Sequence, residues 1–328
     1  MASVSPSPIS LRFVPKGRTA HIVAVLRQGG LTRAQLLSAP KLRCIARNGT
    51  GVDSIDKATC LEKKTAVLNN PGGNAVPVAE VCSPVRLVQL NADTLSSSSP
   101  PSPQLVVGFA LTLLRRIGEI NTRLRAGETI PSITALAPGL YRRTIGLVGM
   151  GDIARETAKM FHYGFNCKII VFSPTTPKNR WTSRSTVAGD SIIPHERASS
   201  LEELLPQVDV LSLHCPYTPA TRHMIGEREL ALFRPSAVII NAARGGIIDE
   251  DALYRALVDK TIGGAGIDVW EQEPPPKERY AKLWDLPNVV AMPHFGGSTD
   301  EVTRIGCRIA VDALFDYLAD KEIRNRVY

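Results

Sequence analysis

The sequence predicts an α/β protein: a doubly wound parallel sheet with a second, smaller domain. Three observations lead there. At 328 residues the chain can build two apolar cores. From Thr144 onward, short β-rich runs alternate with helical stretches, the pattern of a parallel sheet covered by helices on both faces. One of those runs enters a glycine-rich turn, Gly149-Met-Gly151-Asp-Ile-Ala154, followed by a helix-forming stretch.

Taken in order, Ile9–Val14 and His21–Leu26 are short β-rich runs. Thr32–Leu37 opens a helix, with Thr32 as N-cap and Gln35 at capping-box spacing. Lys41–Ile55 reads as a strand and then a turn bracketed by Gly49 and Gly51. Leu105–Leu124 has apolar residues at helical spacing and no proline, which predicts one long helix. The strands expected beyond it are Thr144–Val148, Lys168–Phe172, Val208–Leu213, Ala237–Asn241, Gly264–Val269 and Val289–Ala291. A last helix is expected over Asp300–Leu318, with Glu301, Arg304 and Arg308 on one solvated face.

The formal charge is +8, but Lys and Arg are spread along the chain and aromatics are only 5%. A basic surface attracting an anionic substrate and cofactor is expected, rather than a nucleic-acid partner. No apolar run approaches the roughly 18 residues that span a bilayer, so no membrane partner is expected. The six cysteines show no CxxC pair or metal spacing and read as isolated thiols of a reducing compartment; no metal site is expected. Residues 1–18 are rich in Ser and Pro with three basic residues and no acid, a weak transit-peptide pattern that the prolines oppose. Cytosol is the expected location.

The Gly149-x-Gly151-x-x-Ala154 turn has the context of a Rossmann-type dinucleotide site. Gly149 permits the tight turn, Gly151 lets the backbone approach a pyrophosphate, and Ala154 allows close helix–strand packing. The amides of Asp152 and Ile153 then face phosphate from a helix N-terminus. The acid expected after the next strand is replaced by Ser173, with Lys178 and Arg180 shortly after. A carboxylate there would repel a 2′-phosphate, so both NAD and NADP stay open as cofactors.

Three side chains follow three successive strands at the edge where such sheets bind ligands. Arg244 follows Val238-Ile-Ile-Asn-Ala-Ala243 and can grip a carboxylate bidentately. Glu273 lies in GIDVWEQEPPP beyond Asp268, and His294 lies in VVAMPHFGGST. Histidine is the usual general acid/base near neutral pH, and a carboxylate partner favours its charged form. Each alone is more often a surface charge, a loop acid or a structural histidine.

Together, NAARGGIIDEDAL, GIDVWEQEPPP, PHFGGST, RNGTGVDSID and NNPGGNAVPVAE resemble the motifs of the D-isomer-specific 2-hydroxyacid dehydrogenases, nearest the D-3-phosphoglycerate dehydrogenase and hydroxypyruvate reductase branch. The resemblance runs from about Leu31 to the C-terminus. It implies hydride transfer between NAD(P)H and a small D-2-hydroxy acid/2-keto acid pair, with Arg244 as substrate anchor, His294 as acid/base and Glu273 as its partner. It implies that Asp268 orients the nicotinamide amide, and that Cys215, Ala242, Ala243, Arg244, His294, Gly296 and Gly297 flank the cofactor. The amides of Gly49, Thr50 and Gly51 would receive the substrate carboxylate. Formate dehydrogenases of the family typically carry Gln at the position of Glu273, so that branch is not expected.

The resemblance also implies a truncated flavodoxin-like substrate domain over residues 1–104, a Rossmann domain over 105–297, and a C-terminal helix in 298–328 returning to the first. A homodimer is expected through the cofactor domain. The chain begins late enough that the first strand–helix unit of the substrate domain reads as missing, and no C-terminal regulatory domain is expected. Val81–Gln104, containing SSSSPPSP, interrupts the pattern; deleting its 24 residues joins the flanks into an unbroken helical run. It reads either as a translated short intron, in frame with GT- and CAG-type ends available, or as a natural surface loop, poorly ordered in both cases. Besides the enzyme, two readings stand: a nicotinamide-sensing corepressor-like binding protein, and an inactive product of a truncated, intron-retaining gene.

Overall fold

The structure is a computed structural model describing residues 10–16, 19–26, 30–47, 51–69, 102–187, 191–319 and 321. The chain divides into two compact units, Met1–Pro100 with Ser298–Tyr328, and Pro101–Gly297.

The first unit holds a four-stranded sheet, β1 (Ser10–Lys16), β2 (Thr19–Leu26), β3 (Leu42–Arg47) and β4 (Ala66–Leu68), paired in that order. β1 and β2 run antiparallel, whereas β2–β3 and β3–β4 are parallel. A flavodoxin-like sheet would be parallel throughout, so the hairpin departs from expectation. The reason is chain length: two residues join β1 to β2, and a parallel crossover needs a dozen or more. Helix α1 (Arg33–Leu37) begins at Thr32 with the expected capping box to Gln35, and α2 (Lys57–Glu62) is capped by Asp56 accepting from the Thr59 amide at 2.8 Å. Alternation along β3 sends Ile45 into a cluster with Leu36 and Cys60.

The second unit opens with α3 (Ser102–Leu114) and α4 (Ile117–Arg125). This corrects two expectations. Ser102–Gln104, counted with the poorly ordered segment, form the first turn of α3; the rest of Val81–Gln104 lies outside the described residues. The single helix over Leu105–Leu124 is broken at Arg116, whose backbone is left-handed (φ 54°, ψ 33°). Val106, Phe109, Ala110 and Leu114 are buried, but α4 buries nothing, so no packing holds the two segments in line. The Arg116 guanidinium instead pairs with Glu119, which also accepts from Arg123 at 3.2 Å.

The seven-stranded sheet follows: β5 (Thr144–Val148), β6 (Lys168–Phe172), β7 (Glu196–Arg197), β8 (Val210–Leu213), β9 (Val238–Asn241), β10 (Gly264–Ile267) and β11 (Val289–Ala291). Its order is β11-β10-β9-β8-β5-β6-β7, every pair parallel. The crossovers carry α5 (Asp152–Lys159), α6 (Leu201–Leu204), α7 (Glu227–Leu230), α8 (Glu250–Val258) and α9 (Lys277–Trp284). One apolar cluster joins α3 and α5 to the sheet, and a second lies under α7, α8 and α9. Gly266 lets α3 settle on β10: a Cβ there would meet the Phe109 ring at 2.8 Å. The order reverses between β5 and β8, which places a ligand crevice at their carboxyl ends. Helix α10 (Asp300–Leu318) belongs to the first unit, where Ala310 and Leu314 cover Cys44, Ala46 and Leu68.

Candidate active site

The loops after β9, β10 and β11 bring Arg244, Glu273 and His294 into one electrostatic neighbourhood within the second unit. Each loop is fixed by hydrogen bonds to neighbouring backbone. After β9, the buried Asn241 side chain accepts from the Ala243 amide at 3.1 Å and donates to the Arg244 carbonyl at 2.9 Å, turning the chain at Arg244. Gly245 allows the next loop to touch this one: a Cβ there would stand 1.9 Å from the Trp270 carbonyl oxygen. After β10, the Trp270 amide donates to Glu273 Oε1 at 3.1 Å, and the Trp270 indole donates to the Met292 carbonyl at 2.9 Å.

Glu273 Oε2 then meets His294 Nδ1 at 2.8 Å. The carboxylate can only accept, so Nδ1 carries the proton and Nε2 is left for chemistry. His294 has φ 59°, in the left-handed region, where non-glycine residues are uncommon and strained by about 1–3 kcal/mol. Asp268 holds it there. Its carbonyl accepts from the His294 amide at 2.7 Å, and its buried carboxylate accepts from the Phe295 amide at 2.6 Å and the Gly296 amide at 2.8 Å.

The charges support one another. The hydrogen bond to Glu273 raises the His294 pKa above the ordinary histidine value against the opposing effect of burial; the charges of Glu273 and Asp268 raise it further, and Arg244 lowers it. Burial alone would raise the Glu273 carboxyl. The His294 bond and charge, the Trp270 amide and the Arg244 charge outweigh it and hold the carboxyl below its usual range. Burial pushes Asp268 upward, with the Phe295 and Gly296 amides opposing.

At the crevice, Gly149 has φ 108°, and a Cβ on it would stand 2.6 Å from the His214 carbonyl oxygen, so glycine is required twice over. Gly151 is different: a Cβ there would meet no atom within 4 Å. Packing does not demand glycine at 151; room for an approaching group does. Gly151 also begins α5 with no side-chain cap, so the first-turn amides of Asp152 and Ile153 remain available to an anion. Ala154 is fully buried against β5. These residues fit a dinucleotide diphosphate. Ser173, just beyond β6, is buried with its hydroxyl 2.6 Å from that of Thr176.

His214 and Cys215 follow β8 at the same edge. Burial drives His214 down to about 3, and its Nε2 pairs with the Ser212 hydroxyl at 2.9 Å. Burial pushes the Cys215 thiol up to about 11, so it stays protonated at neutral pH. Ala242 and Ala243 are half-buried beside Arg244, Gly296 is buried and Gly297 half-buried. Gly49 and Thr50 lie outside the described residues, and Gly51 belongs to the first unit. Among the described residues no helix is long and apolar enough to cross a membrane.

Residues 107–296 match the NAD binding domain of the D-isomer specific 2-hydroxyacid dehydrogenases. The chain belongs to that family. It is 35% identical over 283 residues to the hydroxypyruvate reductase of Thermotoga maritima, covering 86% of this chain and 80% of that one. It is 33% identical over 315 residues to the D-3-phosphoglycerate dehydrogenase of Methanocaldococcus jannaschii, covering 96% of this chain and 53% of the relative, so the chain spans about half that protein's length. The crystal structure of D-lactate dehydrogenase from Aquifex aeolicus, complexed with NAD and lactic acid, superimposes with a TM-score of 0.72 at 26% identity, covering 93% of this chain and 86% of that one.

Sequence reasoning singled out Arg244, Glu273, His294 and the glycine turn, but it missed how they are held. Asn241 and Gly245 flank Arg244 within NAARGG, and an amide side chain one turn before a glycine pair is a legible turn signal. The Asp268 clamp on Phe295 and Gly296 joins residues 27 and 28 positions apart and leaves no local trace.

Proposed function

We propose that this family member interconverts a small D-2-hydroxy acid and its 2-keto acid, of the hydroxypyruvate/glyoxylate or 3-phosphoglycerate type. The observation that carries the reading is the His294–Glu273 contact beside Arg244 at the edge of a dinucleotide-type sheet. The names of the hydroxypyruvate reductase and phosphoglycerate dehydrogenase relatives support the substrate class.

Gly149, Gly151, Asp152, Ile153 and Ser173 would hold a nicotinamide dinucleotide, with Cys215, Ala242, Ala243, Gly296 and Gly297 flanking it, and the bound group would supply the hydride chemistry at C2. In reduction, protonated His294 donates from Nε2 to the oxygen that becomes the hydroxyl, so carbonyl plus hydride plus proton gives the alcohol. In oxidation the neutral ring accepts that proton. Glu273 fixes the tautomer and stabilises the imidazolium, while Arg244 grips the substrate carboxylate and sets its orientation. Asp268 holds the His294 turn, and its remaining lone pairs would receive the nicotinamide amide. By motif resemblance, the Gly49, Thr50 and Gly51 amides contribute to carboxylate binding.

We also infer a homodimer formed through the second unit. In support, Ile117, Leu124, Ile133, Leu136 and Tyr141 of the second unit are all exposed, apolar side chains that an interface would cover. Light scattering at twice the chain mass is the expected result.

The test of function is hydride transfer by the purified protein, followed through the near-ultraviolet absorbance of the reduced nicotinamide. NADH and NADPH are each tried with hydroxypyruvate, glyoxylate and phosphohydroxypyruvate. Turnover that His294→Ala removes is expected; turnover untouched by that change would overturn the assignment of His294.

A further inference from the structure

The loop after β6 departs from an NAD-type site in both charge and construction. In a Rossmann-type sheet, the residue after the second strand meets the adenosine ribose, where a carboxylate accepts from its hydroxyls and repels a 2′-phosphate. Here that residue is Ser173, and the stretch Ser173–Val187 contains Lys178, Arg180 and Arg184 with no acid.

The structure adds a fourth cation that the sequence does not reveal. Arg197, on β7 beside β6, reaches across the loop and donates to the carbonyls of Ser173 (2.6 Å), Thr176 (3.3 Å) and Pro177 (3.2 Å), with Met150 Sδ at 2.9 Å. Burial lowers its pKa from the ordinary arginine value. Among the described residues, the hydrogen bonds of this half-buried guanidinium go to neutral acceptors alone. The same three carbonyl bonds fix the loop that presents the Ser173 and Thr176 hydroxyls, 2.6 Å apart.

Arg180 closes the arrangement. Its guanidinium is 3.8 Å from the Asp152 carboxylate in the first turn of α5, so the loop folds back toward the glycine turn and carries a cation to its rim. Asp152 is the opposing charge here. It is exposed and also paired with Arg155 at 3.0 Å, which moderates it.

We propose that the loop after β6 is a 2′-phosphate site, formed by the hydroxyls of Ser173 and Thr176 and the cations Lys178, Arg180 and Arg197, and that the protein takes NADPH in preference to NADH. The proposal rests on the dinucleotide reading above and adds the chemical class of the cofactor. Hydroxyls and cations supply donors to the phosphate oxygens, and Arg197, bonded among the described residues to neutral acceptors, gains an anionic partner.

The test is direct binding, independent of turnover. The purified protein is titrated with NADPH and with NADH while nicotinamide fluorescence is followed, at low salt and again at high salt. The dissociation constant for NADPH is expected to be lower by about tenfold or more, the worth of one charge-assisted contact. That advantage is expected to shrink as salt screens the phosphate. Ser173→Asp is expected to invert the preference. Equal affinities, or tighter NADH, in the unaltered protein would overturn the 2′-phosphate site while leaving the dinucleotide site standing. Failure of both nucleotides to bind would overturn the dinucleotide reading itself, so the two failures are distinguishable, and neither depends on a variant folding.

Discussion

His214 follows β8 in the middle of the seven-stranded sheet, and His294 follows β11 at its edge. Both rings stand at carboxyl ends of parallel strands, where such sheets hold their ligands. His214 is half-buried, its ring meets a serine hydroxyl among the described residues, and burial drives it to about 3, so it is neutral near neutral pH. His294 is exposed, meets a carboxylate at 2.8 Å, and is raised above the ordinary value. The difference lies in the surroundings: burial without an anion removes the charge, and a fixed anion beside a wetter ring retains it. Residue type at a strand end therefore does not identify the acid/base; the second hydrogen bond does.

Removing each ring is the strongest way to break this contrast. His294→Ala is expected to lower kcat by about 10²- to 10⁴-fold, the usual worth of a general acid/base. His214→Ala, which deletes one neutral hydrogen bond, is expected to change kcat by less than about tenfold. Steady-state rates on both variants decide it, and comparable losses would dissolve the distinction.

Arg244 sharpens the comparison, because its charge opposes protonation of His294 while Glu273 favours it. Arg244→Lys keeps the charge but loses the planar fork, and kcat/KM is expected to fall by about ten- to a hundredfold. A fall confined to KM would mean that Arg244 only binds; a fall in kcat as well would mean that it orients the reacting carbon.

Much of this edge was legible in the sequence, for physical reasons that differ by residue. β5, β6 and β11 and helix α10 fall at their expected bounds, because apolar runs of the right period end at turn residues. The helix expected over Leu105–Leu124 is helical on both sides of a break at Arg115–Arg116, which apolar spacing does not report because it shows what a face can bury and not whether anything covers it. α9, with its polar composition, gave no comparable apolar stripe. Arg244, Glu273 and His294 are legible as motifs, whereas the Asp268 clamp and the reach of Arg197 are long-range contacts that only the fold creates.

Gly245→Ala tests how the Arg244 loop is held. The added methyl would stand 1.9 Å from the Trp270 carbonyl, so backbone must move. A loss of about 1–3 kcal/mol of stability is expected, read as a lower melting temperature, with unaltered stability contradicting the close approach.

The smallest effect concerns stability against pH. His294, raised in the folded state, stabilises fully below its unfolded value of 6.5 and loses that contribution as pH rises through its folded pKa. Glu273, depressed, stabilises fully above 4.5 and loses that contribution as pH falls through its folded pKa. The pair should therefore add most between 4.5 and 6.5. Urea midpoints of the unaltered protein and Glu273→Gln should differ most in that window; a constant difference across pH would count against the pair.

The central claim is that Glu273 sets the protonation of the ring that moves the substrate proton. The pH dependence of hydride transfer in both directions, in the unaltered protein and in Glu273→Gln, tests it most directly. Reduction needs the protonated ring and should fail as pH rises through the His294 pKa; oxidation needs the neutral ring and should fail as pH falls through it. Without the carboxylate, both limbs should move together to lower pH. Limbs that stay in place, or move to higher pH, would contradict the claim.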